Sequence, residues 1–229
     1  MANQWQKRPV RPILRIRTNG TGQAAATKFA AIGCCVMIVT SACGSGDDAN
    51  AAPNIDVNAL IVSIEDARNI ANVNDLSSHL PGDIKRPSSY DSESPPPCRP
   101  VFNQESTFGS GWVQFRSVTY NAATNTMPGK PRGVADVIQA VGVYSDDGAA
   151  RGAFDQLAPA LASCIALHAP RFEFTLGKPD ASTITLNSNL WKIVYKVNAS
   201  VLIDVAALGF SDSGTVARDI TDTISSRVP

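Results

Sequence analysis

Residues 29 to 42, FAAIGCCVMIVTSA, form a run of 14 residues without a charge, and that run decides which part of the chain can fold as a domain. The 28 residues before it carry Lys7, Arg8, Arg11, Arg15, Arg17 and Lys28 and no acid. Basic, then apolar, then small is the order of an export signal. As a helix the run would reach ~21 Å at about 1.5 Å per residue, short of the roughly 30 Å hydrocarbon core of a bilayer. It therefore reads as a signal and not as a span, and the folded domain is expected downstream of it, in an oxidising compartment.

The small residues Ser41 and Ala42 stand immediately before Cys43, and the sequence TSAC resembles the lipobox of bacterial lipoproteins, with Thr40 where that family usually has Leu. The resemblance implies that Cys43 is acylated through its sulfur and becomes the first residue of the mature chain. An ordinary signal peptide cut nearby is the alternative. Removing residues 1 to 42 takes away six of the 20 basic residues and none of the 20 acidic ones, leaving a formal charge of −6. A mildly acidic chain without a basic stripe is a poor partner for nucleic acid, whose binding rests on phosphate neutralisation. Electrostatic attraction to anionic lipid headgroups is equally unsupported, so contact with a membrane is expected through the lipid on Cys43.

Cys34 and Cys35 leave with the signal and Cys43 takes the lipid, so Cys98 and Cys164 remain, 66 residues apart. Two thiols in an oxidising compartment are expected to pair. Closing a loop of that length is worth about 4 kcal/mol by chain entropy. The alternatives are two buried free thiols or a catalytic thiol, and neither His79 nor His168 stands in a Cys/His motif.

Residues 43 to 56 combine the acylated cysteine with a small, polar, turn-prone tether, GSGDDANAAPNID, whose 13 residues span roughly 20 Å on average. Residues 57 to 229 are long enough for one domain. Leu60, Ile64, Ala67 and Ala71 fall on one face of a helix predicted over 57 to 72, with Asp56 or Asn58 as its cap. Residues 81 to 111 carry six prolines and are expected to be irregular. WVQFRSVTY (112 to 120) and ADVIQAVGVY (135 to 144) read as strands, the second apolar enough to be covered on both faces.

Ala150, Phe154, Leu157, Leu161 and Cys164 then mark an amphipathic helix capped by Ser145 or Asp146 and kinked near 156 by Pro159. Phe172, Phe174 and Leu176 alternate with Glu173 and Thr175, predicting a half-buried strand over 172 to 176. STITL, LWKIVYKV and SVLIDVAAL, divided by short turns, predict an antiparallel meander. A last helix over 214 to 226 carries Val216, Ile220 and Ile224. The expected class is α+β: one domain, a mostly antiparallel sheet packed with about three helices, and one disulfide.

The export lipobox, a cysteine before a Trp-containing strand, the run VIQAVGVYSDDGAARGAFDQLAPALASC, the later LWKIVYKV and a final Val/Ile helix together resemble the PknH-like extracellular sensor domain family of mycobacteria. That family comprises the outer domain of a receptor Ser/Thr kinase and a set of free-standing lipoproteins. The likeness covers residues 57 to 229. It implies that Cys98 and Cys164 correspond to one of the kinase domain's two disulfides; no cysteine follows Cys164 to make the second. It further implies a groove between sheet and helices that takes a ligand. No kinase domain is present in the sequence.

The search for reactive groups yields little. GFSDSG (209 to 214) lacks the second glycine of a GxSxG nucleophile elbow, since Ser213 stands in its place, and a helix cap accounts for it. Ser110 in FGSGW reads as a loop entering a strand. His79 and His168 have no metal-ligand spacing, so no metal is expected. No phosphate-binding glycine motif is present, and no cofactor or enzymatic activity is expected. Trp112, Tyr144, Trp191 and Tyr195 lie on predicted strands and are the candidate lining of a ligand groove. Two readings follow. One is a module, lipid-anchored at the outer face of the plasma membrane or in the cell envelope, that binds a small molecule or lipid as a sensor. The other is an interaction protein that docks on an envelope protein without a pocket of its own.

Overall fold

The computed structural model describes residues 54 to 79, 84 to 124 and 133 to 229. The signal, Cys43, most of the tether and most of the loop between the first two long strands lie outside these residues. The first helical periodicity is realised as two short helices, α1 (Val57–Leu60) and α2 (Ile64–Ala71), where one was predicted. Asp56 caps α1 by accepting from the Asn58 N–H at 2.9 Å, and Ser63 caps α2 by accepting from that of Asp66 at 3.1 Å.

The break between them has a cause far along the chain. Val62, fully buried between the extended Ile61 and Ser63, donates its N–H to the side-chain oxygen of Gln139 at 2.9 Å. Its carbonyl accepts from the Gln139 amide at 2.9 Å and from the Tyr120 hydroxyl at 3.0 Å. Gln139 thus acts as a stand-in peptide unit for a buried backbone that would otherwise be unpaired. Arg227 donates to the neighbouring Ile61 carbonyl at 2.8 Å and holds the break from the other side.

The sheet has seven strands: β1 (Ser77–Ser78), β2 (Trp112–Ala123), β3 (Val134–Tyr144), β4 (Thr175–Asp180), β5 (Thr183–Asn187), β6 (Trp191–Asn198) and β7 (Val201–Leu208). They lie in the order β1-β2-β3-β7-β6-β5-β4, and every neighbouring pair is antiparallel. The remaining helices are α3 (Gln104–Phe108), α4 (Asp147–Asp155), α5 (Leu157–Ala166) and α6 (Ser213–Ser226), with 3-10 turns at Pro96–Val101 and Pro170–Phe172. The architecture is the α+β class read from the sequence.

Strand alternation sorts the side chains between two cores. On the first face Val137, Val141, Ile203 and Val205 pack with α1, α2 and the Val216, Ile220 and Ile224 stripe of α6. On the second, Phe115, Ala140, Tyr195 and Leu202 pack with Phe108, Phe154, Leu157 and Leu161. Both cores meet at β3 and β7, which accounts for their nearly continuous apolar sequence.

The helix after β3 breaks where expected: α4 ends at Asp155, Gln156 links, and Pro159 falls in the first turn of α5, where its missing N–H costs no bond. Two expectations change. The proline-rich segment 81 to 111 is not irregular throughout, for Cys98 sits on a 3-10 turn begun by Pro96, and α3 follows at once. The strand predicted over 172 to 176 begins only at Thr175. Phe172 and Phe174 are buried and Glu173 exposed as the alternation demanded, but a 3-10 turn and an unpaired link deliver that pattern.

Replacing Gln139 by Leu leaves the Val62 N–H and carbonyl without their amide partner. The expected loss of stability is about 3 kcal/mol in urea unfolding, against about 1 kcal/mol for Tyr120→Phe, which removes one of two donors to a carbonyl that keeps the other.

Candidate binding cleft

The second face of the sheet is crossed by residues 96 to 108, a strap formed by the 3-10 turn and α3. Cys98 of the strap is bonded to Cys164 of α5, and both are fully buried. The Pro100 carbonyl accepts from the Tyr195 hydroxyl of β6 at 2.8 Å and from the Thr107 hydroxyl at 3.0 Å. At the other side of the crossing the Gln104 amide donates to the Ser117 hydroxyl of β2 at 2.8 Å. Asn103 caps α3 by accepting from the Ser106 N–H at 2.8 Å. Gly142 of β3 makes room for the Phe108 ring, since a Cβ there would come within 2.7 Å of it. The Tyr144 hydroxyl donates to the Phe108 carbonyl at 2.7 Å, and burial pushes that phenol well above its ordinary range.

Between the strap and the α4–α5 pair lies a cleft of about 600 Å³. Phe108, Tyr144 and Leu157 line it on the core side, Gly152, Gln156 and Ala160 on the helix side, and Ser106 and Ser110 on the strap side. None of its lining residues is charged. Gly152 leaves it wide, because a Cβ at that position would meet nothing within 4 Å. A cleft of this size and polarity suits an uncharged or weakly polar small molecule.

The four aromatic residues marked by the sequence do not share one cleft. Tyr144 lines the space just described. Trp112, its register partner across β2 and β3, donates its indole N–H to the Gly109 carbonyl at 3.1 Å and borders a neighbouring depression with Arg86, Pro87 and Glu105. Trp191 pairs with Leu208, on the same rung as Asp136 at the far end of β3, about 26 Å along the strands from Tyr144. Its ring packs against Phe102 and Phe174 with centroids 5.3 and 5.7 Å away. Tyr195 is fully buried beneath the strap.

Three other groups singled out from the sequence, His79, Ser213 and Asp146, have structural partners. His79 Nδ1 lies 2.9 Å from the Asn121 amide. The Ser213 hydroxyl closes the turn at Phe210, 3.3 Å from both its N–H and its carbonyl. Asp146 caps α4, and its hydrogen bond from the Ala149 N–H lowers its pKa. Among the described residues no group of three or more His, Cys, Asp or Glu could hold a metal ion.

One group on this face was not singled out from the sequence. Asp204 sits in the middle of β7, on the rung Ser117, Ala140, Asp204, Tyr195. Its carboxylate has no hydrogen-bond partner among the described residues, and burial pushes its pKa up from 3.8 to about 8. A single acid within SVLIDVAAL was the available signal, overlooked because strand alternation also allows an acid on a solvated face.

An antiparallel sheet covered by helices on both faces, with one face strapped by a buried disulfide, is the frame of an extracytoplasmic α+β domain built around a cleft. The chain belongs to the PknH-like extracellular domain family, whose model matches residues 52–227. Among solved structures it is similar to the crystal structure of the extracellular domain of PknH from Mycobacterium tuberculosis, with a TM-score of 0.55 and 19% identity over 75% of this chain and 93% of that one. A search of curated proteins returns no match. Family membership makes this an extracellular domain with a sensor or binding kind of role.

The half-buried acid gives a pH signature. The folded state holds the Asp204 pKa above its unfolded value, so its stabilising protonation is fully present below about pH 4 and is lost as pH rises through about 8. Urea unfolding between pH 5 and 8 should therefore show the native chain losing stability relative to Asp204→Asn, which carries no such charge.

Proposed function

We propose that the protein is an envelope-held binding module that takes a small molecule or lipid in the cleft between the strap and the α4–α5 pair. The observation that carries this reading is the cleft itself: about 600 Å³, open, uncharged, and bounded by a strap that the disulfide and the Tyr195, Thr107 and Gln104 hydrogen bonds keep from collapsing into it. The chain is read as a binder and not as an enzyme.

Its anchor in this reading is the lipid on Cys43, with the residues between it and Ile55, which is already buried in the first core, as the tether that lets the domain stand clear of the bilayer. The alternative, docking on an envelope protein without a pocket, calls for a contiguous apolar surface. The exposed large apolar side chains, Tyr90, Val113, Val134, Leu167 and Leu190, are spread over five separate segments, which favours the cleft.

Native mass spectrometry of the protein recovered gently from its host should show a stoichiometric adduct, identifiable after extraction. Gly152→Trp fills the open space in the cleft and should abolish the adduct while leaving the melting temperature nearly unchanged. A clean mass after incubation with envelope extract would turn the reading toward the docking protein.

Cys43→Ala should abolish acyl labelling and release the protein from the membrane fraction. Unchanged labelling would discard the anchor without touching the cleft.

A further inference from the structure

Beyond the strap, the second face of the sheet has a different character. The strap crosses at the rung of Ser117 and Tyr195, and nearer Tyr144 the face is closed, with Gly142 and Leu202 both buried. On the other side of the crossing, Ile138, Ala206, Thr119 and Leu208 all remain partly exposed, although β3 and β7 are interior strands with neighbours on both sides. An interior strand can be reached by solvent only through its face, so along β2, β3 and β7 this half of the face is a shallow, partly open trough, closed at β6 by the buried Ile193. Its floor is Thr119, Ile138 and Ala206 on adjacent strands, and Phe102 and Trp191, packed edge to face at 5.3 Å, stand at its β6 side.

Two carboxylates bound this apolar floor. Asp204 lies on the rung beneath the strap. Asp136 faces the same way, four residues along β3 from the partner of Asp204, which puts the two about 13 Å apart along the strands. Both are partly exposed, and neither side chain has a hydrogen-bond partner among the described residues. None of the side chains that β2, β3, β7 and β6 place on this face is basic. Of the basic groups near it, His79 lies close enough to Asp136 to favour its charged form and is held by the Asn121 amide at 2.9 Å, while Arg171 is engaged with Asp91 at 2.6 Å and Arg99 with the Ser94 carbonyl at 3.1 Å, which leaves Asp204 as the carboxylate without a counter-charge. A desolvated carboxylate without a counter-charge is a standing cost to the fold, and an apolar residue at 204 would remove it.

We propose that this trough is a second ligand site, distinct from the uncharged cleft, and that it takes an organic cation: an amine whose charge meets Asp204 and whose apolar body lies on Ile138 and Ala206 toward Asp136. Charge complementarity selects the class. A cation supplies the missing partner of a carboxylate in a low-dielectric setting, where such a charge-assisted bond is strongest. A neutral ligand of the same shape gains only the apolar contact, and an anion is repelled from both ends.

The test uses the full exported chain with octylamine as the probe and octanol and octanoate as shape controls, followed by calorimetry. Saturable one-to-one binding of octylamine at least about tenfold tighter than octanol is expected, with octanoate weaker than either. Asp204→Asn should weaken octylamine about tenfold or more and leave octanol unchanged. Ala206→Trp should block all three, whereas Gly152→Trp, in the other cleft, should block none. No saturable octylamine binding at low-millimolar concentration, octanol binding as tightly as octylamine, or an Asp204→Asn variant with native affinity would each overturn the proposal. Asp136→Asn, expected to weaken octylamine by a smaller factor, supplies a second reading of the charge effect should Asp204→Asn alter the local packing.

Discussion

The bond between Cys98 and Cys164 fixes the strap, and the strap divides the second face of the sheet into the two spaces that matter. Proline-rich chain has few backbone donors to offer a sheet, and left to itself would lie on the surface without a defined position. Here one covalent link ties it to α5, worth about 4 kcal/mol by loop closure. Two hydrogen bonds then set its distance from the sheet, one from Tyr195 to Pro100 and one from Gln104 to Ser117. On one side of this crossing the strap and α4–α5 enclose an uncharged cleft; on the other the strands stay open.

β3 and β7 show how an interior strand treats polar groups. Gln139 and Asp204 both interrupt apolar sequence, on opposite faces. Gln139 is fully satisfied: its amide exchanges both hydrogen bonds with Val62, and in doing so it decides that the first helical segment is two helices. Asp204 has no such partner and is held with a raised pKa. A buried polar residue that closes a network specifies structure, while one left without a partner lowers stability and invites an explanation in terms of function.

Much of the fold was legible because periodicity carried it. The apolar continuity of 135 to 144, the short turns of the meander, the spacing from Ala150 to Cys164 and the stripe of the last helix each follow from burying one face or two. What escaped depended on contacts distant in sequence. The break after Leu60 answers to Gln139, 77 residues away. The positions of Phe172 and Phe174 answer to Phe102 and Trp191 and not to strand pairing. The aromatic residues chosen for a groove were chosen by type, and type does not say on which rung a ring stands. Tyr144 lines the cleft, whereas Tyr195, on the same face, serves to anchor the strap.

Shared fold and surface chemistry separate for the same reason. At 19% identity with the PknH extracellular domain, the similarity lies in the path of the backbone. Two cores of small and medium apolar residues can preserve that path through many substitutions, because volume and alternation are what they require. The strap side of the cleft and the rungs of the trough are under no such requirement. Exchanging Asp204 for Ala would leave sheet order, helix packing and disulfide intact, yet would remove the one unpaired charge beneath the strap. A scaffold of this kind can therefore change the chemistry of its cleft and trough by substitutions on two or three rungs while its fold stays the same.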